Sequence, residues 1–221
     1  MYGKKTLFVG ILLLLVVITD ILVNSRFWVN DETVSLESVE IREYKGQKLD
    51  SVGDFRENSI KGPQHIDIES YELSIIGLVN NTVVYTYEDV VNNSRNYEKA
   101  VTLHCVEGWE VTILWEGILM KDLLEEAGID PSSKVVIFYA YDGYSTSLPL
   151  DYIIDNDILM AYKMNGVVLP PERGFPFQLV AESKFGYKWI KWITSIELSD
   201  DVNFRGYWES RGFSHEADWE P

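Results

Sequence analysis

Cys105 is the chain's sole cysteine, and that one residue bounds what the chain can become. An intramolecular disulfide is impossible, and so is a multi-cysteine zinc or iron–sulfur site, which leaves a hydrophobic core to carry the fold alone. The 221 residues suffice for one sizeable domain or two small ones. Aromatic side chains make up 13% of them, with seven Trp and thirteen Tyr, a composition of packed rather than disordered chains. Taken by itself, a lone cysteine is a small buried hydrophobe.

Acidic residues number 35 against 19 Lys and Arg, for a formal net charge of -16. Such a balance repels nucleic-acid phosphates, and no basic stripe offsets it, so nucleic acid is excluded as a partner. The paired carboxylates Glu125-Glu126 and Asp200-Asp201 read as solvated surface at this charge density, with no glycosidase-like pair to single out. Neither a Walker-type phosphate loop nor a GxGxxG turn occurs.

The N-terminus carries a membrane signal. Lys4 and Lys5 precede the uncharged run 6–19, and Ile21, Leu22 and Val23 extend it past Asp20. As a helix, 7–23 would be about 25 Å long, just short of a hydrocarbon core. No good small-x-small cleavage site follows, which favours an uncleaved transmembrane helix over a cleaved signal. Lysines before the run and Asp31, Glu32 and Glu37 after it place the following domain on the extracytoplasmic side. The sequons at Asn80 and Asn92 are compatible with that side.

Three segments result: 1–25 as membrane anchor or signal, 26–54 as linker and extended segment, and 55–221 as the functional domain. Within the last, 71–79 alternates as a strand ending at the turn pair Asn80-Asn81, and 87–91 begins a short helix. The stretch 100–105 reads as a strand. Leu119, Met120, Leu123, Leu124 and Ala127 then recur at helical spacing up to Gly128. Strand-like runs follow at 135–139, 144–148, 158–163, 167–169, 177–181 and 189–198, and Asn165-Gly166 is a hairpin signal. Strands outnumber the short, scattered helices, so the expected class is α+β on a mixed or antiparallel sheet. The aromatic tail from Arg205 is expected to fold over the body, since free it would expose two Trp, one Tyr and one Phe.

Cys105 ends one of these strands and precedes VEGW, where Gly108 loosens the chain and Trp109 anchors it. A thiolate at a strand end beside a tight turn is well presented to a soft metal. His104 and Cys105, being adjacent on a strand, point to opposite faces and make a poor nucleophile–base pair. Downstream, Arg173, Lys184, Lys188 and Lys191 form a basic cluster in an otherwise acidic chain. They either pair with internal carboxylates or hold an anionic cofactor.

Four stretches give the chain a resemblance to a known family: FRENSIKGP, LHCVEGWEVTILWEG, DGYSTSLPL, and the long segment 159–198. It resembles the sulfite oxidase-like molybdopterin enzymes, which include sulfite oxidase, plant-type nitrate reductase and the catalytic subunit of the periplasmic methionine sulfoxide reductase. The likeness runs from about Phe55 to Trp219 and implies the sulfite oxidase-type molybdopterin-binding fold, as the catalytic core alone. By this resemblance Cys105 is the molybdenum ligand, and Asp142 and Tyr144 border the substrate. Asn58, Ser59, Arg173, Gln178, Lys188, Trp189, Ile190 and Lys191 fall in the cofactor-binding stretches.

The sequence departs from the family pattern where Gln178 replaces an arginine that helps hold the pterin phosphate. Gln keeps a hydrogen bond and loses the bidentate charged contact, which Arg173 is placed to replace. The arginines that serve an anionic substrate are missing around Cys105, which points to a neutral substrate or a different oxyanion geometry rather than to sulfite. The implied cofactor is molybdopterin with molybdenum or tungsten. The implied activity is two-electron oxygen-atom transfer on a small S-oxide or N-oxide, or oxidation of a small substrate. An electron partner in the membrane, a cytochrome or a quinone-linked protein, is implied as well. Lys4-Lys5 is a poor twin-arginine signal, which keeps open an exported binding module that retains the fold without cofactor.

Overall fold

A computed structural model describes residues 39–93 and 95–219. The run 7–23 lies outside them, and among the described residues no helix is long and apolar enough to cross a membrane. The described chain opens with a hairpin, β1 (Glu43–Tyr44) and β2 (Gln47–Lys48). Lys45 and Gly46 join them at φ 50 and 82, the left-handed pair that a two-residue turn needs to match strand twist. The hairpin's flanks are fastened to the body. Glu40, buried, accepts from Ser51 Oγ at 3.0 Å, Val52 N at 3.0 Å and Asn165 Nδ2 at 3.2 Å. Residues 39–54, expected as linker and extended segment, are thus tied into the domain.

The strands continue as β3 (Leu73–Gly77), β4 (Val83–Tyr85), β5 (Tyr97–His104), β6 (Glu110–Leu119), β7 (Val135–Ala140) and β8 (Ser145–Pro149). After these come β9 (Leu159–Met164), β10 (Val167–Val168), β11 (Gln178–Val180) and β12 (Ile193–Ser199). Short helices α1 (Tyr87–Asn93), α2 (Met120–Ala127) and α3 (Leu150–Asp155) lie between them. One sheet has the order β4-β3-β12-β7-β8, with β3 and β12 parallel and the other pairs antiparallel. The other is antiparallel, β5-β6-β9, with β10 and β11 sharing the far edge of β9. The result is the α+β arrangement of mixed sheets with few helices. A continuous apolar core draws on both sheets, including Ile75, Phe138 and Ile196 from one and Ile113, Trp115 and Met160 from the other.

Turn chemistry fixes several registers. Asn165 and Gly166 take φ 49 and 80 and close β9 onto β10. The Asn165 side chain, fully buried, also accepts from Leu114 N and donates to Asp50 O, so one turn residue binds three segments. Asn80 and Asn81 turn β3 into β4, and their amides take the carbonyls of Gly128 and Ala127 at the end of α2.

Two readings of the sequence need correction. Residues 110–119 form the long strand β6, which the sequence pattern did not reveal. It lies between β5 and β9 with both faces covered, so its apolar residues do not alternate. The run 189–198 is a strand only from Ile193; Trp192 sits at φ 54, and residues 189–192 form a connecting loop.

Candidate functional site

The end of β5 sets the position of Cys105. Its N–H donates to Trp109 O at 2.9 Å and its carbonyl accepts from Gly108 N at 3.0 Å, closing a turn into β6. Gly108 stands at φ 87 there, a conformation that costs glycine little. The half-buried thiol opens on a cavity of about 480 Å³. Burial pushes its pKa up, and hydrogen bonds and the Arg56 charge only partly oppose that. A metal ion at Sγ is the kind of charge that would deprotonate it.

The loop 55–60 faces Cys105 across the cavity. Asn58 Nδ2 hydrogen-bonds Cys105 Sγ at 3.8 Å and Glu107 Oε2 at 3.4 Å. Glu107 also accepts from Trp109 Nε1 at 3.1 Å, and Arg56 lies 3.9 Å away. These contacts, Trp109 first, hold the Glu107 carboxyl below the usual range. Ser59 Oγ is buried in the same wall and has no hydrogen-bond partner among the described residues.

Asp142 and Tyr144 come from the turn between β7 and β8. Asp142, 2% exposed, accepts the Tyr144 amide at 2.9 Å and so shapes the turn around Gly143. The Tyr144 hydroxyl donates to Tyr187 O at 2.5 Å. Burial, with Glu209 adding to it, raises its pKa and keeps that hydroxyl protonated. Gln178, at the start of β11, and Ile190 complete the wall with Arg173 and Lys191.

Among the described residues the side chains of the basic cluster bond to protein groups. Lys184 bonds Asp218, Lys188 bonds Glu209 at 2.5 Å, and Lys191 bonds Glu57 at 2.5 Å. Arg173 gives its nitrogens to the carbonyls of Val52, Phe55 and Arg56. Of these four, only Arg173 and Lys191 line the cavity. Lys188 and Trp189 were expected there by resemblance, but their side chains turn into the protein. Lys188 is wholly buried and also donates to Ser147 O at 2.9 Å. The Trp189 indole donates to Lys184 O at 2.9 Å and packs on Trp115.

The cavity also takes in residues not singled out from sequence: Arg56, Glu57, Glu107, Tyr187, Trp192, Trp208 and Phe213. Arg56 and Glu57 adjoin Asn58, so the FRENS segment pointed to them. Trp208 and Phe213 belong to the tail expected to fold over the body, and it does. Gly206 lies so close to β8 that an added Cβ would stand 2.2 Å from Ser145 O, and Trp219 stacks on His104 at 3.5 Å and 3°.

A single thiol at a strand end, opening on a cavity walled by aromatic and charged side chains, defines a protein with a ligand- or cofactor-binding site. The comparisons identify which kind. Residues 60–208 match the model of the oxidoreductase molybdopterin binding domain, and the chain belongs to that family of oxidoreductases. It is 34% identical over 157 residues to the uncharacterized oxidoreductase YuiH of Bacillus subtilis, covering 71% of this chain and 78% of YuiH. It is 30% identical over 152 residues to YedZ1 of Azospira oryzae, provisionally named a protein-methionine-sulfoxide reductase subunit; that match covers 68% of this chain and 57% of YedZ1. Human mitochondrial sulfite oxidase is 28% identical over 198 residues, covering 75% of this chain and 36% of the enzyme. Among solved structures, the sulfane dehydrogenase SoxCD of Paracoccus pantotrophus superposes with a TM-score of 0.61 at 25% identity, covering 65% of this chain and 42% of that one.

Proposed function

We propose that this chain is a molybdenum enzyme in which Cys105 ligates the metal and a small neutral S-oxide or N-oxide is reduced. The observation that carries the reading is Cys105 Sγ opening into the cavity with the Asn58 amide as its polar neighbour. The wall offers polar groups to a cofactor. Among the described residues Ser59 Oγ has no partner, and Gln178 adds a side-chain amide to the same wall, where Lys191 is bonded to Glu57. When bound, the molybdenum–pterin group would supply two-electron redox chemistry and oxygen-atom exchange, with tungsten as its chemical alternative.

The chain's own residues take distinct parts. Asn58 donates to Cys105 Sγ and would orient it toward the metal, while Ser59, Gln178 and Lys191 would hold the pterin and its phosphate. Asp142 shapes the turn from which Tyr144 borders the substrate, and Trp109, Trp208 and Phe213 keep water from the reacting atoms. With its cations already engaged by protein groups, the wall favours a neutral substrate over sulfite. Arg173 and Lys191 are held by protein groups, and Arg56, 78% exposed, leans on Glu107. The sulfoxide reductase name of YedZ1 supports the same class.

An electron-transfer partner in the membrane, a cytochrome or a quinone-linked protein, would supply the electrons. The run 7–23 would anchor the chain with its domain outside the cytoplasm. Purified from a host that makes molybdopterin, the protein is expected to hold near-stoichiometric molybdenum or tungsten. Cys105→Ser should abolish sulfoxide and N-oxide reduction with artificial electron donors while leaving pterin content largely intact. Turnover that survived Cys105→Ser would overturn the ligand assignment. A metal-free wild type would favour a binding module.

A further inference from the structure

We infer that Arg173 is a positioning residue, clamping the loop that carries Asn58 and Ser59 rather than binding the cofactor phosphate. Its Nε donates to Val52 O at 2.9 Å, its Nη2 to Phe55 O at 2.6 Å and its Nη1 to Arg56 O at 3.4 Å. The guanidinium also lies 3.8 Å from the centre of the Phe55 ring. Residues 52–60 contain no helix or strand, so these carbonyls have no ladder partners and need donors from elsewhere.

A planar fork can reach three carbonyls that diverge along a bend. An ammonium, whose three N–H bonds leave one atom, spans far less. Arg173 is 6% exposed and forms no ion pair among the described residues, although Glu172 and Glu57 lie close enough to offset its charge. Glu57, the next residue of the loop, is tied to Lys191. Phe55, Arg56 and Glu57 are therefore pinned in succession, which leaves Asn58 as the first residue free to turn toward Cys105. For Arg173 to grip a phosphate with its full fork, these carbonyls would have to be released without replacement donors.

The inference rests on the proposed function for the purpose of the loop, but the clamp itself can be tested without cofactor. In protein purified from a host unable to make molybdopterin, limited trypsin digestion reads the loop at the Arg56–Glu57 bond. Digestion after the exposed Lys134 serves as the internal control for global unfolding. Arg173→Lys and Arg173→Gln are both expected to raise cleavage after Arg56 by about tenfold or more, with cleavage after Lys134 unchanged. Cleavage at the wild-type rate in Arg173→Lys would overturn the clamp, because a phosphate ligand has no hold on the empty loop.

Should both variants unfold, Phe55→Leu removes the stacking ring and keeps Arg173. It is expected to give a smaller rise confined to Arg56, and no rise would count against the clamp. In loaded protein, Arg173→Lys should shift the thiolate-to-metal absorption band as Asn58→Ala does, a change that mere destabilisation would not cause. An unshifted band, with the Asn58→Ala band shifted, also overturns the inference. Loss of metal from the wild type would instead count against the proposed function and leave the trypsin result standing.

Discussion

Asn58 and Ser59 are neighbours on one loop, yet the protein treats their polar groups differently. The Asn58 amide has Cys105 Sγ and Glu107 as acceptors, whereas Ser59 Oγ is buried with none. An unpartnered buried hydroxyl destabilises a chain by roughly 1–3 kcal/mol relative to one that is bonded. Ser59→Ala is therefore expected to leave the empty protein as stable as wild type or about 1 kcal/mol more stable. The loaded protein should lose pterin faster on dialysis, since the hydroxyl would there have lost a ligand. Urea midpoints of the empty form and pterin retention of the loaded form, measured together, decide the matter. A fall in both would mark Ser59 as a packing residue.

Elements carry this logic further, because two of the cavity's aromatic walls belong to the tail. Trp208 and Phe213 flank a 3-10 turn, Glu209–Arg211, whose first residue is fastened by an ion pair with both side chains fully buried. Glu209 Oε1 takes bonds from Lys188 Nζ and Thr146 Oγ1, while Glu209 Oε2 has no partner among the described residues. Removing one member leaves the other charged and buried. Lys188→Met is thus expected to cost about 3–5 kcal/mol, and Lys188→Met/Glu209→Leu much less. Equal losses in the single and double variants, by urea denaturation, would contradict this account. The pair also shows where sequence reading stops. Turns such as Asn165-Gly166, strand ends and the apolar face of α2 were legible because a few adjacent residues specify them. Whether Lys188 meets a phosphate or Glu209 depends on how a segment 21 residues away returns to it, and no local pattern encodes that. The same limit hid β6, whose burial on both faces erased its alternation. Cys105, Asn58 and Tyr144 were legible through the family likeness, and their mutual placement came only with the fold.

At the scale of the whole molecule, the buried and half-buried tyrosines give stability a defined dependence on alkaline pH. Burial is the first cause in each case. It pushes Tyr139 and Tyr187 up to about 12, and raises Tyr71, Tyr85, Tyr87, Tyr144, Tyr152 and Tyr162 as well. A tyrosine in the unfolded chain titrates near pH 10, so below about pH 10 both states are protonated and the contribution is fully present. Above it the unfolded chain releases protons that the folded chain keeps. Stability therefore falls with rising pH, and for Tyr139 and Tyr187 the loss is complete a little above about 12. Burial acts on Lys188 and Lys191 with the opposite sign, lowering both. Between their folded values and the ordinary lysine value near 10.4, the unfolded chain binds more protons and stability rises with pH. Their gain is finished about where the tyrosine loss begins, and the tyrosines outnumber them. Urea midpoints are accordingly expected to hold or rise slightly up to about pH 10 and then drop steeply. The tyrosinate absorbance of these eight side chains should appear together with the change in Trp fluorescence that marks unfolding, rather than before it. If all thirteen phenols titrated near pH 10 while the fold stayed intact, these eight hydroxyls would be open to solvent and the packing that encloses the Tyr144 side of the cavity would be contradicted.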